Sequence, residues 1–298
     1  MRDEASCCRR NSRYADKRRS MNRDARAAAG DMTDPRTPLA ERFAAAGVDW
    51  IVPQWYAPAN VHAFATTRNG GTSTDACASL DLGSASLARV RPDAAAAIVA
   101  NRRRVQAFLP APPVWLEQLH GARVASIGAV PPATPPRADA ATTRVARVVL
   151  AVRVADCMPV LFAAGDGSVV AAAHAGWRGL AAGILENTLD AMGSDPAGIV
   201  AWLGPAIGPA AFEVGADVHD AFVHADSAAD SAFVDASPGK WFADLEALAR
   251  MRLARAGVRS VDGGGMCTLS DASRFFSFRR DATAGRMAAF VWRDDVRE

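Results

Sequence analysis

The stretch Ala151 to Gly179, AVRVADCMPVLFAAGDGSVVAAAHAGWRG, holds two strand-like runs joined by Gly165-Asp166-Gly167, a tight-turn signal. It reads as a hairpin whose second strand leaves through Ala175-Gly176 into a helix. The turn residues are either Gly165-Asp166 or Asp166-Gly167. In both registers Cys157 and His174 share a face, because strand side chains alternate and the registers differ by an even number of residues. They are directly opposite in the first, with Cβ atoms about 4.5 to 5.5 Å apart, and diagonal in the second, at about 7 to 8 Å. Either arrangement allows closure on one metal ion, whose bonds to sulfur and nitrogen are about 2.3 and 2.0 to 2.1 Å. Pro159 has no N–H for a ladder, so the first strand is expected at a sheet edge or bulged there, which would leave the metal open to substrate.

Working outward, strand-like and helical segments alternate. Val148 to Val154, Val169 to Ala173 and Ile199 to Leu203 read as strands. Leu180 to Met192 reads as a helix, with Leu180, Ile184, Leu185 and Leu189 on one side and Gly193 as its stop. A second helix is expected from Trp241 to Ala256, with Leu245, Leu248 and Leu253 inward, followed by Gly257 and a lead into Val258 to Val261. Phe275 to Phe278 and Met287 to Trp292 both look like strands. Before the hairpin, Trp50 to Thr67 reads as strand and turn, and Arg68-Asn69-Gly70-Gly71 as a turn. Asp93 to Leu109 reads as a helix with Ile98, Val105, Phe108 and Leu109 on one side and Arg102 to Arg104 on a solvated face. Pro131 to Pro136 is a loop within one fold. The class is mixed α/β.

The chain has 298 residues, half of them apolar, enough for a sizeable core. Its formal net charge is +2, yet residues 1 to 40 alone carry ten Lys/Arg and six Asp/Glu. The remainder is slightly acidic, which excludes a basic nucleic-acid binder. Residues 1–45 are expected to be a disordered extension, with Met21 and Met32 as alternative starts, and the catalytic domain is expected to span 46–298. The N-terminus lacks the apolar core of a secretory signal. The most apolar stretch, Val145 to Ala164, is broken by Arg147, Arg153 and Asp156, so no membrane span is expected. An odd count of five cysteines without a signal suits a reducing cytoplasm.

Taken alone, a Cys and a His on neighbouring strands are more often core residues than ligands. A metal site needs a third ligand. His219 and His224 fall on a surface helix and His62 in a strand-like run, which leaves His120, in QLHG, as the strongest remaining choice. The turn from His174 into the helix, Ala175-Gly176-Trp177-Arg178-Gly179, offers free N–H groups to an anion such as phosphate.

TTRNGG (66–71), SLDLG (79–83), NRRR (101–104), WLEQLHGARV (115–124), ADCMPVLF (155–162) and HAGWRG (174–179) occur in this order. GPAIGPAAFEVG (204–215), GGG-x-CT-x-SD (263–271), FFSFRRD (275–281) and GRMAAFVW (285–292) follow. Over roughly residues 48 to 293 the chain closely resembles the bacterial family long labelled multicopper polyphenol oxidase, or laccase-domain protein, and later recognised as purine nucleoside phosphorylases. The resemblance implies metal ligands at His120, Cys157 and His174 and a layered mixed β-sheet with flanking helices in a single domain. It also implies phosphorolysis of adenosine, inosine, guanosine and S-methyl-5′-thioadenosine, with deamination of adenosine. The chain departs from the family at Cys77, usually aromatic, at Asp81, usually Asn, and at Leu269, usually Tyr.

Three protein ligands and an open position suit catalytic zinc, with copper as the alternative ion. Beside these ligands, Arg68 is the first candidate for binding phosphate or a ribose anion and Arg178 the second, since a guanidinium matches oxyanions bidentately. Glu213 is a candidate to contact ribose or steer protons, and Cys267 to approach the site. The partners are then purine nucleosides and phosphate. One rival is a copper-dependent phenol oxidase, against which stands the histidine count: a multicopper cluster uses about ten, and the chain has five. A second rival is a peptidoglycan editing factor acting on a mis-loaded cell-wall precursor, with Cys157 as nucleophile and His174 as base. A third is a non-enzymatic module in which the ligands only staple the fold.

Overall fold

The structure, a computed structural model, describes residues 37–83 and 92–295. The expectation for residues 1–36 lies outside them. Two units divide the chain at Val48/Asp49. In the first, residues expected to lack structure form helix α1 (Leu39–Ala46), stopped by Gly47 in the left-handed conformation at φ +67°.

The second unit runs β1 (Val61–Ala65), α2 (Pro92–Gln106), β2 (Val114–Trp115), β3 (Val124–Ser126), β4 (Ala140–Thr143), β5 (Leu150–Val154), β6 (Met158–Ala164) and β7 (Val170–Ala175). It continues through α3 (Trp177–Ala181), α4 (Ile184–Met192), β8 (Ile199–Leu203), β9 (Glu213–Gly215), α5 (Ala216–Val223), β10 (Phe233–Ser237), β11 (Lys240–Ala243), α6 (Leu245–Arg255), β12 (Ser260–Gly263) and β13 (Met287–Arg293). A six-stranded sheet has the order β12-β8-β6-β7-β4-β3, a four-stranded sheet β1-β13-β5-β2, and a small sheet β10-β11-β9. Parallel pairs (β12 with β8, β3 with β4) sit beside antiparallel ones in the largest sheet. This is the layered, mixed α/β architecture expected from the sequence.

Side-chain alternation on the hairpin builds the layers. Leu161 and Ala163 of β6 and Val170 and Ala172 of β7 pack with Val61, Leu150, Val152 and Val291 of the four-stranded sheet. Val160, Phe162, Ala171 and Ala173, of the other parity, pack against Leu185 and Leu189 of α4 and Leu248 and Leu253 of α6. The result is two sheets face to face with helices outside one of them. Each fully buried Leu, Val or Phe contributes about 1.5 to 3 kcal/mol.

The hairpin register pairs Pro159 with His174 and Ala163 with Val170, so Asp166-Gly167 is the central turn and Cys157 is diagonal to His174. One expectation fails here. β6 lies in the middle of its sheet, between β7 and β8, with no bulge at Pro159. The proline sits at the second residue of the strand, where the His174 N–H is turned away to the Asp139 carbonyl at 2.7 Å and the Gly204 N–H reaches only the Pro159 carbonyl at 2.9 Å. Gly204 follows the last residue of β8, so the missing proline N–H costs one bond at the end of that ladder and leaves the rest of it intact.

The helix expected over Leu180 to Met192 is two helices, broken at Gly183, which takes φ +91°. The helix expected from Trp241 starts at Leu245. Trp241 to Ala243 belong to β11, and Asp244 caps α6 by accepting the Ala247 N–H at 2.8 Å. Asp244→Ala is expected to cost about 1 kcal/mol, read as a melting shift of roughly 2 to 4 °C in a thermal scan. Phe275 to Phe278 are not a strand; Phe275 and Phe276 are buried in a loop, so their apolarity serves packing. Arg103 and Arg104 are exposed as expected, whereas Arg102 turns inward over the Trp115 ring. Among the described residues no helix is long and apolar enough to cross a membrane.

Candidate metal centre

Cys157 stands one residue ahead of β6, His174 is the fifth residue of β7, and His120 lies in the loop between β2 and β3. Their ligand atoms all fall within 4.8 Å of one another, and the two imidazoles meet edge to face with centroids 4.8 Å apart. His174 is buried, Cys157 half-buried and His120 exposed, so the cluster opens on the His120 side.

Asp139, the residue just before β4, organises two of the three. Its Oδ1 accepts from His174 Nδ1 at 2.9 Å and from the His120 amide at 2.8 Å. Its Oδ2 accepts from the amides of Leu119 at 3.1 Å and Gly121 at 2.8 Å. A carboxylate at Nδ1 fixes the tautomer of neutral His174 and leaves Nε2 as the nitrogen that would bind a metal once its proton is displaced. The amide cradle holds His120 at φ +59°, a left-handed conformation that a non-glycine residue rarely adopts. Burial alone would raise the Asp139 carboxyl; the His174 hydrogen bond and the Gly121 and Leu119 amides outweigh it and hold it below its ordinary value.

The thiol behaves in the same way. Burial pushes Cys157 up, but the His174 charge and hydrogen bonds from His120 and His174 bring it down to about 6. His174, which burial alone would lower, is raised to about 9 by the Cys157 charge and the Asp139 hydrogen bond. A thiolate and two imidazoles form a donor set that fits zinc or copper(II), whose bonds to such atoms are about 2.0 to 2.3 Å.

Asp156, beside the thiol, ties the site to the C-terminal loops. At φ +82° it accepts from Thr268 Oγ1 at 2.6 Å, Ser277 Oγ at 3.0 Å and the Arg279 amide at 2.6 Å. Cys267 is in this loop system, its Sγ accepting from the Gly208 amide at 3.2 Å. Arg68 reaches the same loops: Nε donates to the Ala78 carbonyl at 2.8 Å and Nη1 to Ala272 at 3.0 Å, and its guanidinium lies 4.7 Å over Phe276. Glu213 is exposed on β9, its carbonyl accepting from Arg279. Arg178 is exposed and stacks on Trp177 at 4.3 Å. Among the described residues, none of Arg68, Arg178 and Glu213 is hydrogen-bonded to the three ligands. The helix that starts after Gly176 is only α3, five residues long, so the expected dipole-assisted anion site there loses most of its basis.

Sequence reasoning missed Asp139 and Asp156. Asp156 lies inside ADCMPVLF (155–162), where nothing local signals its role. Asp139 is one acid in an apolar run, ADAATT, whose partners lie about 20 and 35 residues away.

An open His-Cys-His group between the layers of a mixed α/β fold defines a class of candidate metalloenzyme. A family model described as multi-copper polyphenol oxidoreductase laccase matches residues 62–294, and the chain belongs to this family. It is 49% identical over 247 residues to a purine nucleoside phosphorylase of Pseudomonas aeruginosa, covering 83% of this chain and 99% of the relative. It is 48% identical to purine nucleoside phosphorylase YfiH of Escherichia coli, covering 81% and 98%. The crystal structure of a Neisseria meningitidis protein superposes with TM-score 0.78 at 46% identity, covering 83% of this chain and all of that one.

The multi-copper part of the family description has no counterpart in the histidines. His62 pairs with Asp294 at 3.1 Å, and His219 bridges Asp220 and Asp230. Among the described residues, His120, Cys157 and His174 are the one such group able to hold an ion.

Proposed function

We propose that the chain is a zinc-dependent purine nucleoside phosphorylase. It converts adenosine, inosine, guanosine or S-methyl-5′-thioadenosine and phosphate to free base and the sugar 1-phosphate, and also deaminates adenosine. The observation that carries this reading is the His120-Cys157-His174 cluster, ordered by Asp139, in a chain that matches nearly the whole length of relatives named for this activity.

Zinc bound there supplies a Lewis acid and a water whose pKa falls towards about 7. The protein's own residues do the rest. Asp139 keeps His174 Nε2 and the His120 ring turned towards the thiolate. Arg68, already anchored through two of its nitrogens, keeps Nη2 for an oxyanion, and exposed Arg178 is a second cation. Glu213, exposed on β9, is assigned to accept a ribose hydroxyl hydrogen bond or move a proton.

Incubation with a nucleoside panel, with and without phosphate and chelator, tests the proposal. Base release is expected to require phosphate, to vanish on metal removal and to return with zinc. Undiminished turnover by metal-free protein would overturn the zinc mechanism. It would favour the alternative in which the Cys157 thiolate is a nucleophile beside His174, the chemistry of a peptidoglycan editing factor. Activity on phenols that depends on copper would favour the oxidase.

A further inference from the structure

Outside the metal cluster, Arg153 feels the charges of two further guanidinium groups, Arg102 and Arg286, and of one carboxylate, Asp81. Arg102 comes from α2, Arg153 from β5 opposite Ala288 of β13, and Arg286 from the residue before β13. Two of them share one indole: Arg102 lies 4.6 Å and Arg153 5.9 Å over the Trp115 ring. The carboxylate is buried Asp81, whose Oδ1 already accepts the amides of Gly83 and Arg286, each at 2.8 Å.

Three cations against one anion leave an excess of two positive charges in a partly desolvated place. Among the described residues, protein acceptors do not consume all the donors. Arg102 gives Nη2 to the carbonyls of Leu82 and Gly83, while its buried Nε has no hydrogen-bond partner among the described residues. Arg153 gives Nη2 to the Leu116 carbonyl at 2.7 Å, and Arg286 gives Nη1 to Ala284 and Gly285. Burial, then the charges of Arg102 and Arg286, lower Arg153 to about 10 against the pull of Asp81. The cluster is also coupled to the metal-site loop. Gln118 accepts the Arg153 amide at 2.9 Å and donates to its carbonyl at 2.8 Å, two residues before His120.

We infer that Arg102, Arg153 and Arg286 form a phosphate-dianion site, taking inorganic phosphate or the phosphate of a sugar 1-phosphate. Its use in turnover rests on the phosphorolysis proposed above; its capacity to bind phosphate does not. Several unpaired guanidinium N–H groups suit a tetrahedral oxyanion, which takes charge-assisted hydrogen bonds on every oxygen.

The test titrates zinc-loaded full-length protein with inorganic phosphate and with ribose 1-phosphate by calorimetry, for wild type, Arg153→Gln and Arg153→Lys. Circular dichroism and zinc affinity serve as folding controls. Arg153→Gln is expected to weaken binding of at least one ligand tenfold or more with zinc affinity unchanged, and Arg153→Lys to recover part of it. No phosphate binding by wild type, or wild-type affinity for both ligands in Arg153→Gln, would overturn the site. Binding lost in Arg153→Gln without phosphorolysis by wild type would sustain the site and sink the proposed activity. Phosphorolysis with an unchanged phosphate KM in Arg153→Gln would do the reverse.

Discussion

Asp139→Ala is expected to destabilise the protein by about 3 to 5 kcal/mol and to weaken zinc binding roughly 10- to 100-fold. The side chain is almost fully buried and carries four hydrogen bonds: three consecutive amides, Leu119 to Gly121, and His174 Nδ1. Alanine leaves all four donors without acceptors. It also releases His120 from its left-handed conformation and His174 from its tautomer, so two of the three ligands lose their aim. Asp139→Asn separates the contributions, because an amide keeps one acceptor oxygen but turns an NH2 group on two of the former donors. Asn is therefore expected to fold, with a smaller loss of stability and most of the loss in zinc affinity. Denaturant unfolding and competition against a chromophoric chelator measure the two effects. Wild-type zinc affinity in Asp139→Asn would remove Asp139 from the account of the site.

The contrast between Asp139 and Cys157 shows where sequence reading reached and where it stopped. The hairpin was legible because its signal is local: a Gly-Asp-Gly turn between two runs of small and branched apolar residues fixes which residues share a face. Parity alone placed Cys157 with His174, and in the structure the same alternation separates Leu161 from Phe162 between the two cores. The choice of His120 drew on elimination and resemblance, since nothing within ten residues of it reveals its φ or its partners. Asp139 was invisible for the same reason. Pro159 misled because a missing N–H at the end of a ladder costs a single bond, and where that ladder ends depends on β8, some 40 residues away. Trp241 to Ala243 misled in the opposite direction: they continue a helical pattern, but pairing with β9 and β10 outweighs it and Asp244 resets the helix start. Arg102 was grouped with its two exposed neighbours because a run of three arginines reads as one surface, although successive helical residues point about 100° apart.

Gly176→Ala is the second large effect expected, and it acts by crowding alone. Gly176 has φ −70° and ψ 160°, a conformation open to any residue, so alanine adds no backbone strain. Its Cβ, however, would lie 2.8 Å from Cys157 Sγ and 3.4 Å from His120 Cδ2. Optimal contacts between such atoms are about 3.5 to 4.0 Å, so the sulfur must retreat by about 1 Å or the chain must lift. A shift of that size exceeds the few tenths of an ångström that metal–ligand bonds tolerate. The expected result is a protein with native circular dichroism that binds zinc at least about tenfold more weakly, or about 1.4 kcal/mol, with base release falling in step. Gly179→Ala provides the comparison. There the new Cβ would meet the Gly121 carbonyl at 2.7 Å, which pushes on the backbone of the His120 loop, not on a ligand atom. Its loss is expected to appear mainly in the melting temperature. If Gly176→Ala kept wild-type zinc affinity, the Cys157 sulfur would not be confined between Gly176 and His120, and the cluster would lose its claim to a single preorganised geometry.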